Sequence, residues 1–162
     1  MNIEIVPGYD RVADIIALFS EYTEMLIAGD PKFSEYLDIQ NYDHELKHPE
    51  VKYGMPWGRL YIALCDGAPA GCIALRRIDS GCCELKRLYV RPGFRGMHIG
   101  AMLSERLIED ARSIGYSRMR LDTLPSLRDA VKLYRRLGFT ETDKYNDSPM
   151  DDSVFMELIL GI

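Results

Sequence analysis

Apolar residues change their period along the chain, and each change marks an element. Residues 2–6 alternate as a short strand. Across residues 10–28, Ile15, Leu18, Phe19, Tyr22, Met25 and Leu26 recur at three- and four-residue steps, the spacing of one helix face. Asp10 is the expected N-cap of that helix, and Gly29 before Asp30-Pro31 is its stop. Residues 33–53 are polar and aromatic by turns and read as a short helix with a loop. Residues 59–65 and 68–78 are β-rich runs around Asp66-Gly67, a hairpin signal. Another strand follows over residues 82–90, ended by Pro92-Gly93. A second amphipathic helix spans residues 98–114, with Ile99, Leu103, Leu107 and Ala111 at four-residue steps and Gly115 at its end. Residues 117–124 form a strand. Ser126, with Asp129 three residues on, is the expected cap of a third helix that Gly138 terminates. Residues 139–142 and 153–160 would close the chain as strands. Helices alternate with strands in the second half but not in the first, which predicts an α/β domain of α+β type around one mixed sheet.

Composition narrows this picture. A chain of 162 residues matches one domain of roughly 150, so residues 1–162 are expected to form a single domain. Its 47% apolar and 28% charged residues are those of an ordinary soluble chain. The start lacks a basic segment followed by an apolar run, and no long apolar stretch occurs, so neither a secretory signal nor a membrane span is expected. Cys65, Cys72, Cys82 and Cys83 lie inside strand-like stretches without paired C-x-x-C spacing. They read as buried, reduced thiols of a cytoplasmic protein, with no metal site.

The net charge of −5 argues against a nucleic-acid or acidic-membrane partner. Its distribution is more telling: 11 acids against 5 bases over residues 1–60, 5 against 12 over 86–136, and 6 against 1 over 137–162. A basic middle between acidic ends predicts a local anionic partner, with solvated helix faces as the plainer alternative. The candidate for that partner's site is the stretch Leu88, Tyr89, Val90, Arg91, Pro92, Gly93, Phe94, Arg95, Gly96, Met97, His98, Ile99, Gly100, Ala101. A glycine-rich turn from a strand into a helix leaves backbone N–H groups unpaired at the positive end of the helix dipole, a phosphate site in physical terms. Arg95 adds a cation able to bind bidentately, which favours a diphosphate. No Gly-Lys-Ser/Thr follows, and Gly93, Gly96 and Gly100 are not spaced as G-x-G-x-x-G.

Leu88-Tyr89-Val90, Arg95-Gly96 and Ile99-Gly100, then a helix and Leu133-Tyr134-Arg135-Arg136-Leu137-Gly138-Phe139, resemble the GCN5-related N-acetyltransferase (GNAT) family. The likeness runs from about Arg59 to the C-terminus, with both motifs in family order. It implies a mixed sheet of about seven strands flanked by helices and splayed at one cleft. It also implies acetyl-CoA as co-substrate, and direct acetyl transfer to a primary amine of a small molecule or peptide. The strand Leu88, Tyr89, Val90 would then pair with the pantetheine arm, and Arg95, Gly96, Met97, His98, Ile99, Gly100 and Ala101 would hold the pyrophosphate. His98 departs from the family's Arg/Gln-x-x-Gly-x-Gly/Ala pattern at its first glycine. Its backbone N–H can still serve if His98 is helical with its ring turned out, or the ring itself can supply a donor.

The resemblance also places the thiolate's proton donor at Tyr134; a phenol with a pKa of about 10 lies close enough to a thiol to donate as the C–S bond breaks. Tyr134 also sits at helical spacing from Ala130 and Leu137, so a core role is the alternative. Where related enzymes often carry a glutamate that works through water, this sequence has Glu84, so by the same resemblance Glu84 is the candidate base. Strict alternation puts Glu84 and Lys86 on one face with Leu88 and Val90, and Arg87 with Cys83, Leu85 and Tyr89 on the other. A Glu84–Lys86 ion pair is the structural alternative. Tyr36, Tyr42, Tyr53 and Trp57, with many carboxylates, would wall the acceptor side and suit a cationic amine. His44 and His48 lack a third metal ligand. Residues 144–157 resemble a Pro-Asp-Asp-rich loop of some bacterial family members and should flank the cleft. A non-catalytic acetyl-CoA-sensing module that binds a partner protein is the competing function. The family often dimerises, yet no long apolar face is left over, so single chain and homodimer both stay open.

Overall fold

Asp66 and Gly67 take left-handed φ values of 50° and 84°, the pair that a two-residue hairpin needs to match strand twist. They join β2 (Arg59–Cys65) to β3 (Ala68–Arg77), with Cys65 opposite Ala68. The computed structural model describes residues 1–161. The remaining strands are β1 (Ile3–Pro7), β4 (Cys82–Val90), β5 (Arg118–Thr123), β6 (Thr140–Glu141) and β7 (Val154–Ile159). The helices are α1 (Val12–Gly29), α2 (Phe33–Ile39), α3 (Tyr42–Lys47), α4 (Pro49–Lys52), α5 (Ile99–Ile114) and α6 (Arg128–Arg136). The strands form one seven-stranded mixed sheet in the order β1-β2-β3-β4-β5-β7-β6. Its one parallel junction joins β4 to β5, as a crossover through α5 requires.

The helices cover both faces. On one, Ile99, Leu103, Leu107 and Ala111 of α5 pack on Tyr61, Ile73, Leu75 and Leu85. On the other, Ile15, Leu18 and Phe19 of α1 pack on Leu60, Ile62, Cys72 and Ala74. Each fully buried leucine of these layers contributes about 1.5–3 kcal/mol through removal of apolar surface from water. Leu26 of α1 joins Phe33, Tyr36, Leu37 and Tyr42 in a third cluster beside them.

Several local expectations are corrected. Residues 33–53 form the three short helices α2, α3 and α4 in place of one helix and a loop. Arg11 stands at the N-cap of α1 in place of Asp10, and Leu127 at that of α6 in place of Ser126, each without a side-chain cap bond. The four cysteines are buried and unbridged.

Two features of β4 create the cleft. Its pairing with β5 is confined to Cys82, Cys83 and Glu84 opposite Arg118, Met119 and Arg120. Beyond Glu84 the two strands part, and β4 keeps a strand neighbour on its β3 side alone. On that side Cys72 faces Tyr89 and Ala74 faces Lys86, so Ile73 stands opposite both Arg87 and Leu88 in a bulge where Arg87 has a φ of 61°. The bulge resets the alternation. Cys83 and Leu85 share the α5 side with Leu88 and Val90, while Tyr89 packs on the α1 side. The expected grouping of Glu84 and Lys86 with Leu88 and Val90 is therefore wrong, because one extra residue reverses the period of two.

Candidate active site

After Val90 the chain makes a tight turn at Pro92–Phe94, then passes through Gly96 (φ 82°) and His98 (φ 62°) into α5. The first helical bond runs from the Met102 N–H to the His98 carbonyl at 3.0 Å, which leaves the amides of Ile99, Gly100 and Ala101 without an intrahelical acceptor. Left-handed residues in such a turn bring successive amides into a concave, anion-binding arrangement. His98 is therefore not helical, the condition named for its amide to serve; it takes the left-handed geometry a glycine would favour, with its side chain exposed.

This turn forms one wall of a groove of about 670 Å³. Leu88, Tyr89, Val90, Arg95, Gly96, His98, Ile99, Gly100 and Ala101 all line it. Met97 turns away and packs against the core beneath α5. Arg95 donates its Nε–H to the Val90 carbonyl at 3.0 Å, which fixes the guanidinium at the groove's edge. The opposite wall is α6, where Arg128, Lys132 and Arg136 stand at four-residue steps and are exposed. The basic centre of the chain is plain in the sequence, whereas this ladder shows only when its four-residue spacing is placed on α6.

A second, smaller cavity of about 40 Å³ lies where β4 and β5 part. Tyr22, Leu88 and Leu127 line both spaces, so the two adjoin. Tyr134 lines this inner cavity and sets its ring edge-on to Phe139 at 5.7 Å. Among the described residues its hydroxyl has no hydrogen-bond partner. Burial pushes the phenol well above its ordinary value, so it stays protonated at neutral pH. The close match to a thiol expected of it in water does not hold inside the cleft.

Glu84 lies elsewhere. Its carboxylate accepts from Arg76 Nε at 3.0 Å and from the Tyr145 hydroxyl at 2.6 Å, is almost fully buried, and lines neither space. Burial raises its pKa, but Lys86 and Arg76 outweigh that and bring it below the ordinary value. The ion-pair partner is Arg76, not the Lys86 that the sequence suggested. The carboxylate that does line the inner cavity is Asp122, at the end of β5, which accepts a short hydrogen bond from the Tyr36 hydroxyl. Burial raises the Asp122 pKa, against the opposing pull of Tyr36 and Lys86. Polar Arg118, Arg120 and Asp122 alternate with apolar Met119 and Leu121. An aspartate closing such a strand was the overlooked signal, since aspartate is depleted in strands.

Lys86 and Gln40 line the same cavity as Asp122. Lys86 Nζ donates to Gln40 Oε1, which also accepts from Arg87 Nη2 at 3.0 Å. Arg87 itself is spoken for: its Nε and Nη2 donate to Glu45 at 2.8 and 2.9 Å, and Lys52 adds a third contact to Glu45 at 2.6 Å.

Of the aromatic residues expected around the acceptor, Tyr36 lines the cavity, Tyr42 and Tyr53 are buried in the packing beyond it, and Trp57 stacks under Arg77 at 4.6 Å. The late loop lines the cavity through Ser153 and backs it through Asn146, whose Nδ2 donates to the Tyr36 hydroxyl at 2.9 Å, while Tyr145 bonds Glu84 away from it. Among the described residues the His48 ring hydrogen-bonds to Glu50, at 3.3 Å, and no group of three metal-capable side chains gathers. Among those residues no helix is long and apolar enough to cross a membrane.

Comparison with known proteins agrees with this geometry. Residues 17–139 match the model of the acetyltransferase (GNAT) family. An uncharacterized N-acetyltransferase of Schizosaccharomyces pombe is 43% identical over 129 residues, covering 78% of this chain and 79% of its own. Among solved structures, an acetyltransferase from Streptococcus agalactiae superposes with a TM-score of 0.76 at 26% identity, covering 97% of this chain and 98% of that one. The Paia N-acetyltransferase of Thermoplasma acidophilum, solved in complex with coenzyme A, superposes with a TM-score of 0.74 at 21% identity, covering 98% and 99%. A sheet parted between β4 and β5, a turn of free amides at the head of α5 and a family match across most of the chain lead to one conclusion: the protein is an acetyltransferase of the GNAT family.

Proposed function

We propose that the protein transfers an acetyl group from acetyl-CoA directly to a primary amine of a small molecule or peptide. The observation that carries this reading is the adjacency of the two spaces: an amide-lined groove for a phosphorylated carrier shares Tyr22, Leu88 and Leu127 with a small cavity holding Tyr134 and Asp122. The pyrophosphate would rest on the amides from Gly96 to Ala101, with Arg95 and the α6 cations balancing its charge. The pantetheine arm would lie along the unpaired side of β4 near Leu88, Tyr89 and Val90, in the manner of an added strand.

In the transfer, the amine nitrogen forms a bond to the thioester carbonyl carbon and the C–S bond then breaks. The proton lost by the amine needs a base, and the departing thiolate needs an acid. Tyr134 is the acid. Its raised pKa disfavours donation to a thiolate in water, but the same burial destabilises a thiolate arriving beside it, so the proton moves as the bond breaks. For the base, the sequence candidate Glu84 is engaged by Arg76 and Tyr145 outside both spaces, whereas Asp122 lines the reacting space and burial raises its pKa, which makes it the better proton acceptor. We assign the base to Asp122 and a supporting role to Glu84. All of these groups come from one chain, so the chemistry asks for no second copy.

Calorimetric titration with acetyl-CoA, with ATP as control, followed by thiol release on addition of amines, tests the reading. One acetyl-CoA bound per chain together with amine-dependent thiol release is expected. Binding without release for any amine would instead favour the non-catalytic sensing module, and no binding at millimolar ligand would end both.

A further inference from the structure

The charges around the parted strands do not all pair. Glu45 takes Arg87 and Lys52, and Glu84 takes Arg76. Among the described residues this leaves Lys86 and Asp122 without an ion-pair partner within 4.0 Å, and both line the inner cavity. Lys86 is only 9% exposed, and one of its three ammonium protons is spent on Gln40. An ammonium buried with a single amide acceptor is costly to desolvate, and it gains most from an anion that enters with the ligand.

From this geometry we infer that the acceptor is a small amine that also carries a carboxylate, with the carboxylate held by Lys86 and Gln40 and the amine directed to Asp122. The inference rests on the acetyl-transfer reading above and adds the chemical class of acceptor. Gln40 Oε1 is occupied by Lys86 and Arg87, so its Nε2–H groups remain as further donors toward an anion. Leu26, Phe33, Leu124 and Leu127 give the cavity an apolar side, while Thr123, Ser153 and the Glu45-paired Arg87 add further polar groups to its lining. A cavity of about 40 Å³ admits roughly three water-sized groups, which suits the head of a compact molecule more than a folded protein surface. Burial pushes Lys86 down to about 7, with Arg87 adding to the shift and Glu84 opposing it. A bound carboxylate would restore the charge that burial removes.

The test uses the common L-amino acids, each beside its carboxamide and its decarboxylated amine, with wild type, Lys86→Met and Lys86→Arg. Thiol release from acetyl-CoA gives turnover, and calorimetry of the same compounds into the protein gives binding without requiring turnover. In the wild type, at least one carboxylate-bearing amine should exceed its carboxamide in kcat/KM by roughly 10- to 100-fold, the worth of one charge-assisted bond. Lys86→Met should erase that ratio through KM while acetyl-CoA affinity holds, and Lys86→Arg should keep most of it. Equal use of acids and carboxamides by the wild type, or a preference that survives in Lys86→Met, would overturn the proposal. So would acetyl-CoA binding with no heat from any carboxylate-bearing amine. Failure of the acetyl-transfer reading shows separately, as absence of heat with acetyl-CoA itself.

Discussion

Tyr134 and Asp122 reach one cavity from two elements, α6 and β5, and the chemistry assigned to them separates cleanly from binding. Tyr134→Phe removes only a hydroxyl that has no protein partner, so kcat should fall by about 10²–10⁴-fold, the usual worth of general acid catalysis, with acetyl-CoA affinity changed less than about twofold. Asp122→Asn should lower kcat over the same range. Glu84→Gln should behave differently. It weakens the bonds to Arg76 and Tyr145, so it should lower the melting temperature while kcat stays within about tenfold. Steady-state kinetics beside thermal unfolding decides, and a larger kcat loss in Glu84→Gln than in Asp122→Asn would return the base to Glu84. Tyr134 was legible in the sequence because a family motif carries it. Asp122 was not, because a lone aspartate at the end of a strand looks like turn chemistry until the fold shows that its strand borders a gap.

Elements with a strong period were legible nearly to the residue: β4 spans Cys82–Val90 as expected, and α5 starts at Ile99 and stops before Gly115. What escaped were features set by distant contacts. No glycine marks the β4 bulge, because Arg87 is held in its left-handed conformation by Glu45 and Gln40 from α3 and the end of α2. The same argument makes a forecast. Arg87→Met should leave Glu45 buried with only Lys52 as partner, and cost about 3–5 kcal/mol in denaturant unfolding. A loss below about 1 kcal/mol would mean the bulge does not depend on the pair. The α6 ladder gives a second element-scale test. Lys132→Gln and Arg136→Gln should each weaken acetyl-CoA binding by roughly 3- to 10-fold at low salt and flatten its salt dependence, because exposed charges are screened within about 10 Å at 0.1 M salt. Unchanged salt slopes in both variants would remove these cations from the phosphate site.

At the scale of the whole molecule, buried charges set opposite pH limits on stability. Burial raises the Glu45 pKa, but Arg87 and Lys52 outweigh it and bring it to about 2, from an ordinary 4.5. Its contribution is therefore present above pH 4.5 and is lost as pH falls toward 2, since the unfolded chain takes up the proton first. Lys86 works the other way. Its pKa falls to about 7 in the folded chain from an ordinary 10.5, so below pH 7 both states carry the proton and the folded state bears the full cost of burying it. As pH rises above 7 the folded state sheds that proton while the unfolded chain keeps it, and stability increases. The rise is readable only to about pH 9. There the unfolded chain begins to ionise Cys72 and Cys83, whose thiols burial holds protonated in the fold, and stability turns down again. Between pH 7 and 9 the Lys86 contribution should be on the order of 2 kcal/mol. Denaturant unfolding of wild type and Lys86→Met across that window checks the sign: the wild type should gain stability with pH and the variant should not. A wild-type curve that is flat, or parallel to the variant's, would mean that Lys86 keeps its charge in the folded cleft and has found an anion there already.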